Sequence, residues 1–249
     1  MKPEIRRFPN LESLSRAAAR FIVEQATLCV EERGRFTLVL SGGQSPRLLY
    51  EQLSLPAFTV KMPWAQTYLL WGDERWVPAD HPQSNYGMAQ KLLIARVPVP
   101  AANILRPPAE MTSPEAAARA YEKTLRSFFR VTRRRLTPPE FPTFDLILLG
   151  IGKDGHTASL FPGNRVLEER RQWVAAVETT TASPSIPRLT LTLPVINSAA
   201  RVLFLVSGKG KREVVQSILT EPAEAVHVYP AARVRPAGRL IWFVNEELL

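Results

Sequence analysis

A chain of 249 residues, 45% apolar and 22% charged, has room for one large α/β core, and no apolar run approaches the roughly 18 residues of a membrane span. The N-terminus M-K-P-E-I-R-R-F-P-N lacks the apolar centre of a signal peptide, and the single Cys29 excludes an internal disulfide, so a cytoplasmic location is expected. The net charge of +9 raises nucleic-acid binding, but the Arg130, Arg133, Arg134 and Arg135 cluster closes a helical pattern, where cations suit the helix dipole, and precedes the connector T-P-P-E-F-P. The basic excess is therefore expected on a solvated surface and at a site for an anionic metabolite, with no nucleic acid and no membrane as partner.

Helix and strand signals alternate along the chain, which predicts a single α/β domain over 1–249 built on a mostly parallel, Rossmann-like open sheet flanked by helices. Asn10 caps a helix whose apolar positions Leu11, Leu14, Ala18, Ile22 and Leu28 recur at helical spacing, ending near Gly34. Cys29 falls in that stripe and is read as a core residue. A strand over Thr37–Leu40 leads through a glycine turn to a helix starting near Pro46. Thr67–Trp71 is the next strand, followed by a loop rich in Pro, Asp and His. Gln83–Val97 and Ser113–Val131 are predicted helices, the second capped by Ser113 with Pro114 at its first position. The central strand follows at Asp145–Leu149, aliphatic and bounded by glycine as a strand covered on both faces would be. Further strands are expected at Trp173–Val177, Leu189–Leu193, Val202–Val206 and Leu240–Val244, with a helix over Lys209–Leu219. The prolines near 98–108 and 137–142 mark connectors within one fold.

Three strand ends carry candidate chemistry. After the first, Ser41-Gly42-Gly43-Gln44-Ser45-Pro46 offers free backbone N–H groups at a helix start, with hydroxyls nearby, as a phosphate cradle. It is no Walker A loop, because no Gly-Lys-Ser/Thr follows. After the second, Gly72-Asp73-Glu74-Arg75 places acids and a guanidinium where open α/β sheets bind ligands, and Ser84-Asn85 reads as the cap of the next helix. After the third, Gly150-Ile151-Gly152-Lys153-Asp154-Gly155-His156 sets an acid and an imidazole on the rim, with glycines expected to take positive φ.

Gly150, Gly152 and Gly155, with Glu178 downstream, formally match a dinucleotide fingerprint. Pro162-Gly163 leaves no room for the crossover helix that such a site needs. His81, in a polar loop with Pro82, and His227, in a short apolar stretch, are read as residues without a catalytic role. No histidine or cysteine pair has metal-ligand spacing and no G-x-S-x-G elbow exists, so the residues point to metal-free general acid–base chemistry without a cofactor. Arg188, before a strand, and Lys211, after the turn Val206-Ser207-Gly208, suit a phosphate dianion.

In order and spacing, the S-G-G-x-x-P, G-D-E-R-x-V-P, G-x-G-x-D-G-H-T-A-S-L-F-P-G and R-x-T-L-T blocks resemble the 6-phosphogluconolactonase family, from about Phe36 to the C-terminus. The resemblance implies a Rossmann-like parallel sheet and hydrolysis of 6-phosphoglucono-δ-lactone to 6-phosphogluconate in the oxidative pentose phosphate pathway. It implies His156 as the base that activates water, Arg75 as the cation near the reacting carbonyl, and Asp154 and Asp73 as the acids of the two motifs. Arg188, Lys211 and the Gly42-Gly43 turn with Ser45 would hold the phosphate. Two departures are Gln44, where a hydroxyl residue is common, and Lys153 before the motif aspartate. A related amino-sugar deaminase would carry N-E-P after the histidine motif, where this chain has A-S-L-F-P. A sugar-phosphate isomerase or a non-enzymatic binder are the remaining alternatives. A phosphosugar lactone is the expected partner, and nothing in the sequence demands more than a monomer. Which of Asp73 and Asp154 partners His156 stays open.

Overall fold

The structure, a computed structural model, describes residues 3–132, 141–178 and 185–249; the side chains of Arg130, Arg133, Arg134 and Arg135 and most of the 137–142 connector lie outside the described residues. The strands are β1 (Glu4–Phe8), β2 (Phe36–Leu40), β3 (Thr67–Trp71), β4 (Asp73–Arg75), β5 (Ile104–Leu105), β6 (Leu146–Leu149), β7 (Val174–Val177), β8 (Arg188–Leu191), β9 (Arg201–Val206) and β10 (Arg239–Asn245). The helices are α1 (Leu11–Arg33), α2 (Gln44–Leu53), α3 (Pro56–Thr59), α4 (Asn85–Leu92), α5 (Pro114–Thr132), α6 (Leu193–Asn197), α7 (Arg212–Thr220) and α8 (Pro222–Val228). None among the described residues is long and apolar enough to cross a membrane.

Seven strands make one parallel sheet in the order β1-β10-β9-β6-β2-β3-β5, with β6 in the middle. Their alternate residues feed two cores, as the period of 2 requires. Val39, Ile147, Leu149, Phe204 and Trp242 pack under α5, α7 and α8. Leu38, Leu40, Leu148, Leu203 and Phe243 pack under α1, α2 and α4. A strand apolar on both faces must be covered on both, which is why the aliphatic runs became buried parallel strands.

The local signals act as expected at the helix ends. Asn10 accepts from Ser13 N at 2.8 Å, and Gly34 closes α1 in the left-handed conformation at φ 72°. Ser113 Oγ accepts from Ala116 N at the start of α5. Cys29 is buried in α1, and burial pushes its thiol up from its ordinary value. Other boundaries move. α2 begins at Gln44, two residues before Pro46, and the helix expected over 83–97 ends at Leu92 with a separate 3-10 turn at Ile94–Arg96. Lys209–Lys211 is likewise a 3-10 turn ahead of α7.

The main departure is a second sheet. Asp73–Arg75, expected as loop, forms β4 and pairs antiparallel with β8, which pairs antiparallel with β7. The strands expected at 173–177 and 189–193 thus leave the parallel sheet and cover its carboxyl edge. At its opposite edge, the carboxylate of Asp145 accepts from Thr37 N, Thr37 Oγ1 and Arg33 Nη2 at 2.7–2.8 Å, which ties β6 to β2 and α1.

Candidate active site

In a parallel sheet every carboxyl end falls on one edge, so the turns after β2, β3, β6 and β9 meet there. One cavity at that edge is lined by Ser41, Gly42, Gly43, Ser45, Asp73, Arg75, His156, Arg188 and Lys211. All the site residues expected from sequence line it except Asp154, which stands beside it and reaches it through His156. A larger, open groove between α5 and residues 163–178 is lined by charges of both signs and by none of these residues.

His156 is held from several sides. Its Nδ1 lies 2.5 Å from Asp154 Oδ1, its backbone N–H donates to the same oxygen at 3.2 Å, and its carbonyl accepts from Gly152 N at 2.8 Å. Its ring packs on Phe161, centroid to centroid at 4.6 Å. Burial acts to raise the Asp154 carboxyl, but the hydrogen bond and charge of His156 outweigh it and hold the acid below its usual range. An ionised carboxylate at Nδ1 keeps the proton there and leaves Nε2 as the basic nitrogen. The partner of His156 is therefore Asp154, not Asp73.

The glycines of this turn do different work from that expected. Only Gly155, at φ 78°, adopts positive φ; Gly150 and Gly152 do not. Gly152 is needed for room, since a Cβ there would stand 2.1 Å from His156 Nδ1 and 2.6 Å from Asp154 Oδ1. Gly155 packs against the ring of Tyr229, which a Cβ would meet at 2.3 Å.

Asp73 is buried and engaged elsewhere. Ser159 Oγ donates to its Oδ2 at 2.8 Å, and Asn85 Nδ2 donates to its carbonyl at 2.9 Å and to Oδ1 at 3.3 Å. Glu74, which sequence reading left without a role, accepts from Arg75 N, Asn85 N, Tyr86 N and Ser84 Oγ at 2.7–3.2 Å. Burial pushes its carboxyl up to about 7 against the three backbone N–H bonds, which pull the other way. Ser84 caps α4 as expected, by accepting from Gly87 N. Asn85 instead links two turns, for its amide touches Asp73 and fills the space a Cβ on Gly42 would need, 2.0 Å away.

The antiparallel register brings the two arginines together. Arg75 is the Cα partner of Arg188, so like charges stand side by side on neighbouring strands. Arg75 Nη1 donates to Gln83 O at 3.0 Å, while the Arg188 guanidinium lies over Phe161 at 5.2 Å. The Nε atoms of both are buried without a hydrogen-bond partner among the described residues. Burial and then the charge of Arg75 pull Arg188 below its ordinary value, while Asp73 and Asp154 act the other way. Burial also lowers Lys211, which has no side-chain partner among the described residues. An anion entering the cavity would relieve all three cations.

The turn after β2 completes the set. Gly43 sits at φ 97° as the N-terminal flank of α2 and provides no side-chain cap, so the first N–H groups of the helix stay available. Ser45 Oγ is 2.9 Å from Ser207 Oγ, which ties this turn to the one after β9. Phe161, Ser159 and Asn85 were missed as supports. No local pattern pairs Ser159 with an acid 86 residues away, although Ser159 and Phe161 stand inside the histidine block.

The model of a family described as glucosamine-6-phosphate isomerases/6-phosphogluconolactonase matches residues 9–242. The chain is 39% identical to a 6-phosphogluconolactonase of Synechocystis sp., over 99% of this chain and 97% of that one. It is 38% identical to the human 6-phosphogluconolactonase, over 96% of this chain and 90% of that one. The fold matches the crystal structure of 6-phosphogluconolactonase from Thermotoga maritima with a TM-score of 0.81 at 29% identity, covering 98% and 100% of the two chains.

Proposed function

This chain belongs to the glucosamine-6-phosphate isomerase/6-phosphogluconolactonase family, and we propose that it hydrolyses 6-phospho-D-glucono-1,5-lactone to 6-phospho-D-gluconate, a step of the oxidative pentose phosphate pathway. The observation that carries this reading is one cavity in which an Asp154–His156 pair faces Arg75, Arg188, Lys211 and the open N-terminus of α2. Base and cations suit an ester carbonyl, and the cations with the glycine turn suit a phosphate dianion.

Nε2 of His156 takes a proton from water as its oxygen bonds to the lactone C1. Asp154 holds the ring in place and stabilises the imidazolium that forms. Arg75 faces the oxygen that gains the negative charge. When the tetrahedral adduct collapses, the bond from C1 to the ring oxygen breaks and the imidazolium returns the proton to that oxygen. The product is a carboxylic acid with a free hydroxyl; the acid releases its remaining water-derived proton to solvent as the carboxylate, and the enzyme is regenerated. General-base help supplies typically about 10²–10⁴-fold, and a preorganised cation at an oxyanion about 10²–10³-fold. A δ-lactone is already an activated ester, so these suffice.

Arg188, Lys211 and the Gly42-Gly43 turn with Ser45 hold the 6-phosphate. Asp73, committed to Ser159 and Asn85, supports the segment after His156 and balances the paired arginines. Every group comes from one chain, so a cytoplasmic monomer acting on a small phosphosugar lactone fulfils the scheme. The test is the disappearance of 6-phosphogluconolactone in a chelated, nucleotide-free assay, with gluconolactone as comparison. Turnover well above spontaneous opening and a clear preference for the phosphate ester are expected; no acceleration would overturn the reading.

A further inference from the structure

Strand ends are where a sheet runs out of hydrogen-bond partners, and two of those that build this site, the ends of β2 and β3, are closed in the same way. Gly72 N donates to Leu40 O at 2.9 Å, so Leu40 turns its polar groups toward β3. Alternation then points the N–H and C=O of Ser41 to the other side, toward β6. The β2–β6 pairing reaches only Val39 opposite Ile147, and no strand meets Ser41 there. By the same alternation, Trp71, opposite Leu40, turns its N–H and C=O away from β2 toward β5. The β3–β5 pairing ends at Leu70 opposite Leu105, one residue short.

Each vacancy is filled by a buried phenol. The Tyr50 hydroxyl accepts from Ser41 N at 3.0 Å and donates to Ser41 O at 2.7 Å. The Tyr121 hydroxyl accepts from Trp71 N at 2.9 Å and donates to Trp71 O at 3.1 Å. Both side chains are buried, at 0% and 2% exposure. They arrive from opposite faces, Tyr50 on α2 in the core that α1 covers and Tyr121 on α5 in the other. In each case one hydroxyl does what the next residue of a neighbouring strand would do, which satisfies both groups of a buried peptide. Beyond each clamped residue the chain turns at once into the site. Gly42-Gly43 follows Ser41, and Gly72, Asp73 and Arg75 follow Trp71.

We propose that Tyr50 and Tyr121 are two separate positioning residues, Tyr50 setting the phosphate turn and Tyr121 setting the turn that carries Asp73 and Arg75. This rests on the lactonase reading for what each turn does, while the clamps themselves rest on geometry alone. Tyr50 is nine residues from Ser41 and belongs to the helix whose N-terminus forms the cradle, so its hydroxyl closes the turn on itself. Tyr121 is 50 residues from Trp71 and ties the arginine turn to a distant helix. Because the two hydroxyls share no partner, their effects should separate.

The test uses Tyr50→Phe and Tyr121→Phe in the full chain, each removing one oxygen and little volume. Tyr50→Phe is expected to raise KM for 6-phosphogluconolactone by about tenfold with kcat near the parent's, and to leave kinetics on unphosphorylated gluconolactone unchanged, as loss of a ground-state contact would. Tyr121→Phe is expected to lower kcat by about tenfold on both lactones, as loss of transition-state help would. Inorganic phosphate, followed by its protection against thermal unfolding, should stabilise the parent and Tyr121→Phe but protect Tyr50→Phe less. Amide exchange should accelerate at Ser41 in the first variant and at Trp71 in the second. Equal losses of kcat and KM on both substrates in the two variants, or no change in either, would overturn the proposal. A parent with no lactonase activity would sink the functional reading instead, and phosphate protection with amide exchange would still judge the clamps.

Discussion

Replacing Gly152 by alanine tests the geometry of the His156–Asp154 pair while leaving both residues in the sequence. The backbone at Gly152 is not in the left-handed region, so alanine is compatible with its conformation. The added methyl would stand 2.1 Å from His156 Nδ1, 2.2 Å from Cε1 and 2.6 Å from Asp154 Oδ1. Ordinary carbon contacts begin near 3.5 Å, so the ring must retreat by about 1 Å or more. A displacement of about 1 Å at a reacting group costs on the order of 10²-fold in rate, or about 2.7 kcal/mol of barrier. The phosphate turn and Lys211 lie on other loops and keep their places. Progress curves of 6-phosphogluconolactone hydrolysis should therefore show kcat down by about 10²-fold with KM within a few-fold. A Gly152→Ala enzyme that turns over within twofold of the parent would refute the idea that this geometry is the catalytic one.

Other perturbations separate binding, catalysis and folding. His156→Ala should abolish most turnover but keep protection by inorganic phosphate, whereas Arg188→Ala should weaken that protection first; turnover at the parent rate in His156→Ala would remove it as the base. Asp145→Asn, at the opposite edge of the sheet, should cost about 1–3 kcal/mol in denaturant unfolding by disturbing three hydrogen bonds, two of them buried, with kcat per folded molecule unchanged. Glu74 titrates near 7 in the fold, above its ordinary 4.5, so the fold binds its proton more tightly than the unfolded chain does. Its contribution is fully present below pH 4.5 and is lost as pH rises through 7. Stability measured across that interval should fall with rising pH, and Glu74→Gln should flatten the fall.

Much of the fold was legible because it follows from local chemistry. Aliphatic runs bounded by glycine can be satisfied only between two covering layers, and β2, β3, β6, β9 and β10 formed within a residue or two of expectation. Asn10, Gly34 and Ser113 act through bonds within four residues, so they read from sequence alone. The strand-end placement of Asp73, Arg75, His156 and Lys211 was legible too, since a parallel sheet gathers its carboxyl ends on one edge.

What the sequence could not decide was anything set by pairing between distant segments. β4 is three residues long and polar, and only antiparallel pairing with β8 makes it a strand. That register places Arg75 beside Arg188, a juxtaposition across more than 100 residues that no spacing encodes. The choice of Asp154 over Asp73 as partner of His156 depends on Ser159 and Asn85 having already claimed Asp73. Gly152 looks in sequence like a flexible turn residue, and in the fold it is a space kept clear for two side chains. Residue types and their order along the chain thus determined which chemistry could gather at the sheet edge. Tertiary packing decided which groups face one another, because hydrogen bonds and contacts depend on distance in space, not on separation in sequence.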